Sequence, residues 1–242
     1  MANPPPRLSE FLSQHRFVFL FFTLMGYFLL VPIIHQIHQT LNLDMPPIYE
    51  AIFFVVLLAG TVFSISTNRA HMIIALGLGL PAVLLGALHI FHDAAWVEAS
   101  RHLFGGAFLS YAIVVIFLYV FASRKVTFNV VSASLCIYLL LGLLWALAYS
   151  ALYWYDPGAF RWTVPNTGSP QTLELGTGKS ITALYFSFST LTTLGYGDIV
   201  PISPIARALT SIEAITGQLY LAVLVARLVG LNIAESIQNP KS

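Results

Sequence analysis

Thr192-Thr193-Leu194-Gly195-Tyr196-Gly197-Asp198 is the stretch of this chain whose residue types and spacing ask for a specific chemistry. Glycine enters the left-handed backbone region without steric cost. Gly195 and Gly197, at alternate positions, therefore let the chain alternate between right- and left-handed conformations and turn successive carbonyls to one side. A row of carbonyls replaces the water around a dehydrated cation without trapping it as carboxylates would. The expected ion ligands are the carbonyls of Thr193, Leu194, Gly195, Tyr196 and Gly197, with the Thr193 hydroxyl adding an oxygen at the inner end. The side chains of Leu194 and Tyr196 are expected to point away from the ion and to pack behind the segment. Asp198 is expected at the outer mouth, hydrogen-bonded back to the element before it.

Such a segment needs elements that hold it inside a membrane, and the rest of the chain supplies them. Of 242 residues, 57% are hydrophobic and only 9% charged, against roughly a quarter charged in soluble domains. A helix crosses a bilayer with about 20 apolar residues. Six runs are that long: 17–37, 49–67, 71–91, 103–122, 129–153 and 205–232. Residues 1–16 and 236–242 are expected to be short tails, and 17–122 a four-helix transmembrane domain. The net charge of +1 argues against nucleic-acid partners, and the lone Cys136 supports neither a disulfide framework nor a thiolate metal site. Between the last two runs, residues 156–179 are rich in Gly, Pro and Thr and are expected to form a loop. Ser180, followed by Ile181, Leu184, Tyr185 and Phe188 at helical spacing, predicts an N-capped helix over 180–191 that is too short to span. A helix that enters the membrane and stops must be buried in protein. Residues 180–198 thus read as a re-entrant helix and loop, in an all-α membrane protein of six spans.

The run 192–198 resembles the potassium-channel signature, whose usual form has Val where this chain has Leu194. With the helix before it, an outer span at 129–153 and an inner span at 205–232, the resemblance covers a pore domain over about 129–235. It implies a homotetramer, since one chain supplies one carbonyl row and a closed filter needs four. K+ would then be the permeating ion and the only ligand, with no cofactor. The resemblance also places Gly217 where many such channels carry a hinge glycine in the inner helix; close helix packing is the alternative. Some potassium channels carry a Glu behind the filter where this chain has Ser189, and more often Trp-Trp where it has Tyr185-Phe186. Of that pair only Tyr185 keeps a polar tip able to reach Asp198. The residues expected to support the filter are therefore Thr192, Asp198, Ser189 and Tyr185. A nonselective cation channel of the same fold and a non-conducting modulatory subunit are the alternatives.

With the N-terminus inside, Arg7, Arg16, Arg69, Arg124, Lys125, Arg227 and Lys241 lie on the cytoplasmic side against Arg101, Arg161, Lys179 and Arg207 outside. The excess of basic residues predicts cytoplasmic termini and a place in the cell's inner membrane. A voltage sensor needs arginines within the field, each worth about 2.3 kcal/mol per 100 mV; residues 103–122 contain none, so the fourth span is not expected to sense voltage. Glu213, an acid inside the sixth span, is expected to face the pore or to bond the re-entrant helix, the bond being preferred. Arg227 is expected to snorkel to the inner interface or meet lipid headgroups. His35, His38, His89, His92 and His102 gather at span ends, and His89 and His92 beside Asp93 have spacing that suits a metal or a proton sensor. They lack the further ligands and the carboxylate that metal-assisted hydrolysis needs, so no enzyme is expected.

Overall fold

A computed structural model describes residues 15–41, 48–66, 68–91, 94–163, 170–172 and 179–238. In chain order the elements are α1 (Arg16–Thr40), α2 (Ile48–Ile65), α3 (Arg69–Phe91), α4 (Ala95–Ala122), α5 (Phe128–Tyr155), β1 (Phe160–Thr163), β2 (Pro170–Thr172), α6 (Lys179–Leu191), β3 (Ile199–Pro201) and α7 (Pro204–Gln238). Among the described residues, α1, α3, α4, α5 and α7 are long and apolar enough to cross a bilayer, while the described apolar part of α2 is only Phe54–Ile65. The chain is a multi-pass membrane protein, and the 13-residue α6 is too short to cross.

Lipid offers helices no hydrophobic gain from meeting, so close packing and hydrogen bonds must hold the bundle. Phe17, Leu20 and Leu24 form one buried stripe on α1, and Phe108, Ala112, Ile116 and Val120 form another on α4. Both pack with α5, whose Ala133, Cys136, Ile137 and Leu140 are buried in the same core. Small residues bring the backbones close: a methyl group on Gly105 of α4 would sit 3.4 Å from Leu147 on α5. The free thiol of Cys136 donates to the carbonyl of Phe17 at 3.4 Å. The Phe17 N–H, one of the unpaired donors at the start of α1, is taken by Asn129 Oδ1 at 3.2 Å. The front helices are thus fastened directly to α5. Only residues 123–127 join α4 to α5, whose N-cap Thr127 accepts from Val130 N.

Three expectations are corrected. α4 begins at Ala95, not near 103, because Glu98 and Arg101 neutralise each other one turn apart, with Arg101 Nη2 2.7 Å from Glu98 Oε1. His102 therefore lies two turns into a helix and is buried, not at a span start. The loop expected over 156–179 holds strands β1 and β2, and with β3 they make an antiparallel sheet in the order β2-β1-β3. Such strands are too short to leave an alternating pattern in sequence. Finally, α6 starts at Lys179, one residue ahead of the expected cap Ser180.

Candidate functional site

α6 carries an apolar face into the gap between α5 and α7. Phe186 packs edge-on to Tyr149 of α5 and Phe160 of β1, at centroid distances of 5.0 and 5.2 Å. Phe188 lies against Gly142, where any added methyl group would come within 2.2 Å of the ring. Phe188 also meets Phe28 of α1 edge-on at 4.5 Å, so the front half touches α6 itself. Ser187 donates to the carbonyl of Gly142 at 2.8 Å.

Beyond Leu191 the chain turns sharply. The N–H groups of Leu194 and Gly195 both converge on the carbonyl of Ser189, at 2.8 and 3.2 Å, and Thr193 N bonds Thr190 O at 2.9 Å. Ser189 thus supports the segment through its backbone, and its side chain is buried. Left-handed backbone occurs at Thr193, Gly195 and Gly197, with φ of 58, 57 and 80°. Glycine adopts this freely, but a β-branched residue does so only when its surroundings fix it. For Thr193 they do: its hydroxyl donates to Thr192 O at 2.7 Å and accepts from Gln218 Nε2 of α7 at 3.3 Å. Thr192 donates its own hydroxyl back to Phe188 O at 2.6 Å.

At the far end of the segment Tyr185 donates to Asp198 Oδ2 at 2.8 Å, and Asp198 Oδ1 accepts from Ile199 N at 3.0 Å. The rings of Tyr185 and Tyr196 stack, 6.2 Å apart and nearly parallel. β3 then pairs with β1, and Ile202 N bonds Ala159 O at 2.8 Å, so the segment's exit is tied to the chain just beyond α5. Leu194 and Tyr196 are 57% and 68% exposed on the single chain, which leaves their faces for something outside it.

α7 closes the site from the other side. Glu213 is wholly buried, where Tyr149 donates to its Oε2 and Ser187 Oγ lies 2.6 Å from Oε1. A methyl group on Gly217 would sit 2.3 Å from the backbone oxygen of Leu191, so this glycine is the point of contact between α7 and the end of α6. The same carbonyl accepts from Tyr138 of α5 at 3.2 Å. Tyr220 donates to Ser134 O at 2.6 Å, a second tie between α7 and α5. Arg227 has protein partners. Its guanidinium bonds the carbonyls of Val120, Phe121 and Ser123 at 2.6, 2.8 and 2.9 Å and lies over the Phe121 ring. These carbonyls lie at the C-terminal end of α4, where Val120 O also accepts from Ser123 N and where the helix dipole favours a cation.

Spacing brought Tyr185, Asp198, Ser189 and the 192–198 segment together, but missed Tyr149, Ser187, Gly142 and Gln218. The only signal for the first two was Glu213 itself, since a buried acid requires partners. Among the described residues no group of three His, Cys, Asp or Glu side chains has metal-binding geometry. His92 and Asp93 lie outside the described residues.

Comparison with known proteins agrees with this geometry. Residues 114–233, which hold all of α5, β1, α6, the 192–198 segment and most of α7, match the family described as ion channel. The inward rectifier potassium channel Kirbac3.1 of Paramagnetospirillum magnetotacticum is 46% identical over 46 residues, 19% of this chain and 16% of that relative's length. The chain is thus a multi-pass membrane protein whose residues 114–233 match the ion-channel family.

Proposed function

We propose that four copies of this chain form a potassium-selective channel whose ions pass along residues 192–198. One observation carries the reading: left-handed backbone recurs at Thr193, Gly195 and Gly197, alternate residues of that segment. This is the conformation that turns consecutive carbonyls to one side and lets them stand in for an ion's water. In the assembly the carbonyls of Thr193, Leu194, Gly195, Tyr196 and Gly197 ligate K+, while Thr192, Ser189, Tyr185 and Asp198 hold the segment. α6 enters the membrane and stops, with its C-terminal dipole end toward the ion path. Almost none of the apolar stretch of α7 is buried within one chain, against half of that of α5, which supports neighbouring copies around α7. Six spans, with α2 the second, bring both termini to the cytoplasmic side of the cell's inner membrane. α4 has no Arg or Lys between Arg101 and Arg124, so opening depends weakly on voltage. K+ and lipid are the partners, without nucleic acid or cofactor.

The test is potassium flux and reversal potential from the full chain in liposomes. Gly195→Ala is the control, because nothing lies within 4 Å of the added methyl group and only the left-handed backbone opposes it. Flux that survives Gly195→Ala would remove the segment from the ion path. A reversal potential that ignores the potassium-to-sodium ratio would leave a nonselective channel.

A further inference from the structure

At the end of the bundle where α1 begins, a cavity of about 260 Å³ opens between the front helices. Arg16, Phe17, Ser64, Ile65, His71 and Tyr119 line it, closed by Val115 and Leu118 of α4. The polar groups here are donors. The Arg16 guanidinium lies over the rings of Phe17 and Tyr119, at 4.8 and 5.1 Å from their centroids. This fixes its plane while leaving its N–H edge unused, and among the described residues no carboxylate pairs with it. The Tyr119 hydroxyl accepts from Asn129 Nδ2 at 3.3 Å, so its own proton remains to be given. His71 Nδ1 lies 2.7 Å from the Tyr111 hydroxyl. With Tyr111 donating there, the Nε2–H is left as a third donor. Ser64 is already spent on Arg16 O and Gly60 O.

A cavity with several donors, a held guanidinium and no acid suits a phosphate, which Arg recognises through its planar fork. Its volume lies below the usual range for a drug-sized ligand, and the rest of its wall is apolar. It opens at the end of membrane-crossing helices where α3 begins with Arg69 and α4 is followed by Arg124 and Lys125. We infer that this cavity binds the phosphate of an anionic membrane lipid. The headgroup sits against Arg16, Tyr119 and His71, and the first carbons of its chains run along Ile65, Val115 and Leu118. This gives the front half a ligand of its own, independent of the ion path.

The full chain in detergent is titrated with dioctanoyl phosphatidylglycerol, dioctanoyl phosphatidylcholine and inorganic phosphate, reading the thermal midpoint. Phosphatidylglycerol is expected to stabilise at a concentration about tenfold below phosphatidylcholine, whose phosphate is the same but whose choline cation brings a like charge toward Arg16. Arg16→Gln is expected to abolish that preference and Arg16→Lys to keep part of it. Should Arg16→Gln not fold, Tyr119→Phe and His71→Gln test the same cavity, each expected to weaken the preference severalfold. Equal stabilisation by the two lipids, or a preference untouched by these variants, overturns the inference. Inorganic phosphate acting at the same concentration as phosphatidylglycerol overturns the lipid as its source.

Discussion

Glu213 permits a prediction in which the hydrogen atoms can be counted. Ser187 Oγ lies within hydrogen-bond distance of two oxygens, Gly142 O at 2.8 Å and Glu213 Oε1 at 2.6 Å. A backbone carbonyl only accepts, and we assign the single Ser187 proton to Gly142. Tyr149 spends its own proton on Glu213 Oε2. With that assignment, the contact between Oε1 and Ser187 Oγ is completed by a proton on the carboxyl. The geometry is satisfied by a neutral acid that donates to Ser187 and accepts from Tyr149. No cation pairs with Glu213 among the described residues, and an isolated charge buried in this way would be costly.

Glu213→Gln should consequently be tolerated: its amide N–H₂ replaces the donor and its carbonyl the acceptor, in nearly the same shape. Glu213→Leu removes both. Ser187 keeps Gly142, but Tyr149 loses the carboxyl and keeps only Thr210, a cost of about 1–3 kcal/mol. The assay is the thermal midpoint of the purified assembly near neutral pH, with potassium flux measured alongside. Unfolding of membrane assemblies is commonly irreversible, so the order of the variants carries the argument. The expected order is wild type close to Glu213→Gln, with Glu213→Leu clearly below both. A Gln variant as damaged as the Leu variant would refute the proton count and make Glu213 a carboxylate.

Three further outcomes are expected. Gly217→Ala should cost about 1–3 kcal/mol of stability and reduce flux, because its methyl group meets a backbone carbonyl that has nowhere to go. Gly230→Ala, on the same helix with nothing within 4 Å, should be neutral or slightly stabilising, and equal midpoints for the two would refute the packing. Tyr185→Phe deletes the bond to Asp198 and should speed the decay of current during sustained opening; unchanged decay would mean the bond does not hold the outer mouth. Arg227→Gln should raise hydrogen exchange at the C-terminal end of α4, where three carbonyls lose the guanidinium, and should alter open probability. Unaltered exchange there would show that the contact does not hold that end.

How much of this was legible in sequence depended on whether the constraint was local. An apolar run announces a helix because every backbone group in lipid must be satisfied within the segment. Its ends are less visible: α4 starts well before its apolar stretch because the pair Glu98 and Arg101 makes two charges tolerable there. The segment 192–198 could be read because left-handed backbone selects glycine, and the one left-handed position that is not glycine, Thr193, could not. Contacts between helices leave no spacing. Gly142 looked like any glycine in an apolar helix until Phe188 was seen to fill the space of its absent side chain. The bonds of Arg227 to the end of α4 were not legible because a sequence does not reveal which helix end lies beside it.

The same contacts limit how the inner helix can move. Sequence suggests Gly217 as a place where α7 bends. Yet Gly217 touches the carbonyl that ends α6, and the next residue, Gln218, donates to Thr193. A bend centred there cannot be confined to α7: it must either break the Gln218 bond or carry the start of the 192–198 segment with it. Four residues toward the N-terminus, Glu213 fixes α7 to α5 and α6; further along, Arg227 fixes it to the end of α4. A bend between those two anchors therefore pulls on α4 at one end and on the ion-path segment at the other. In such a helix a ligand of the front half has a mechanical route to residues 192–198.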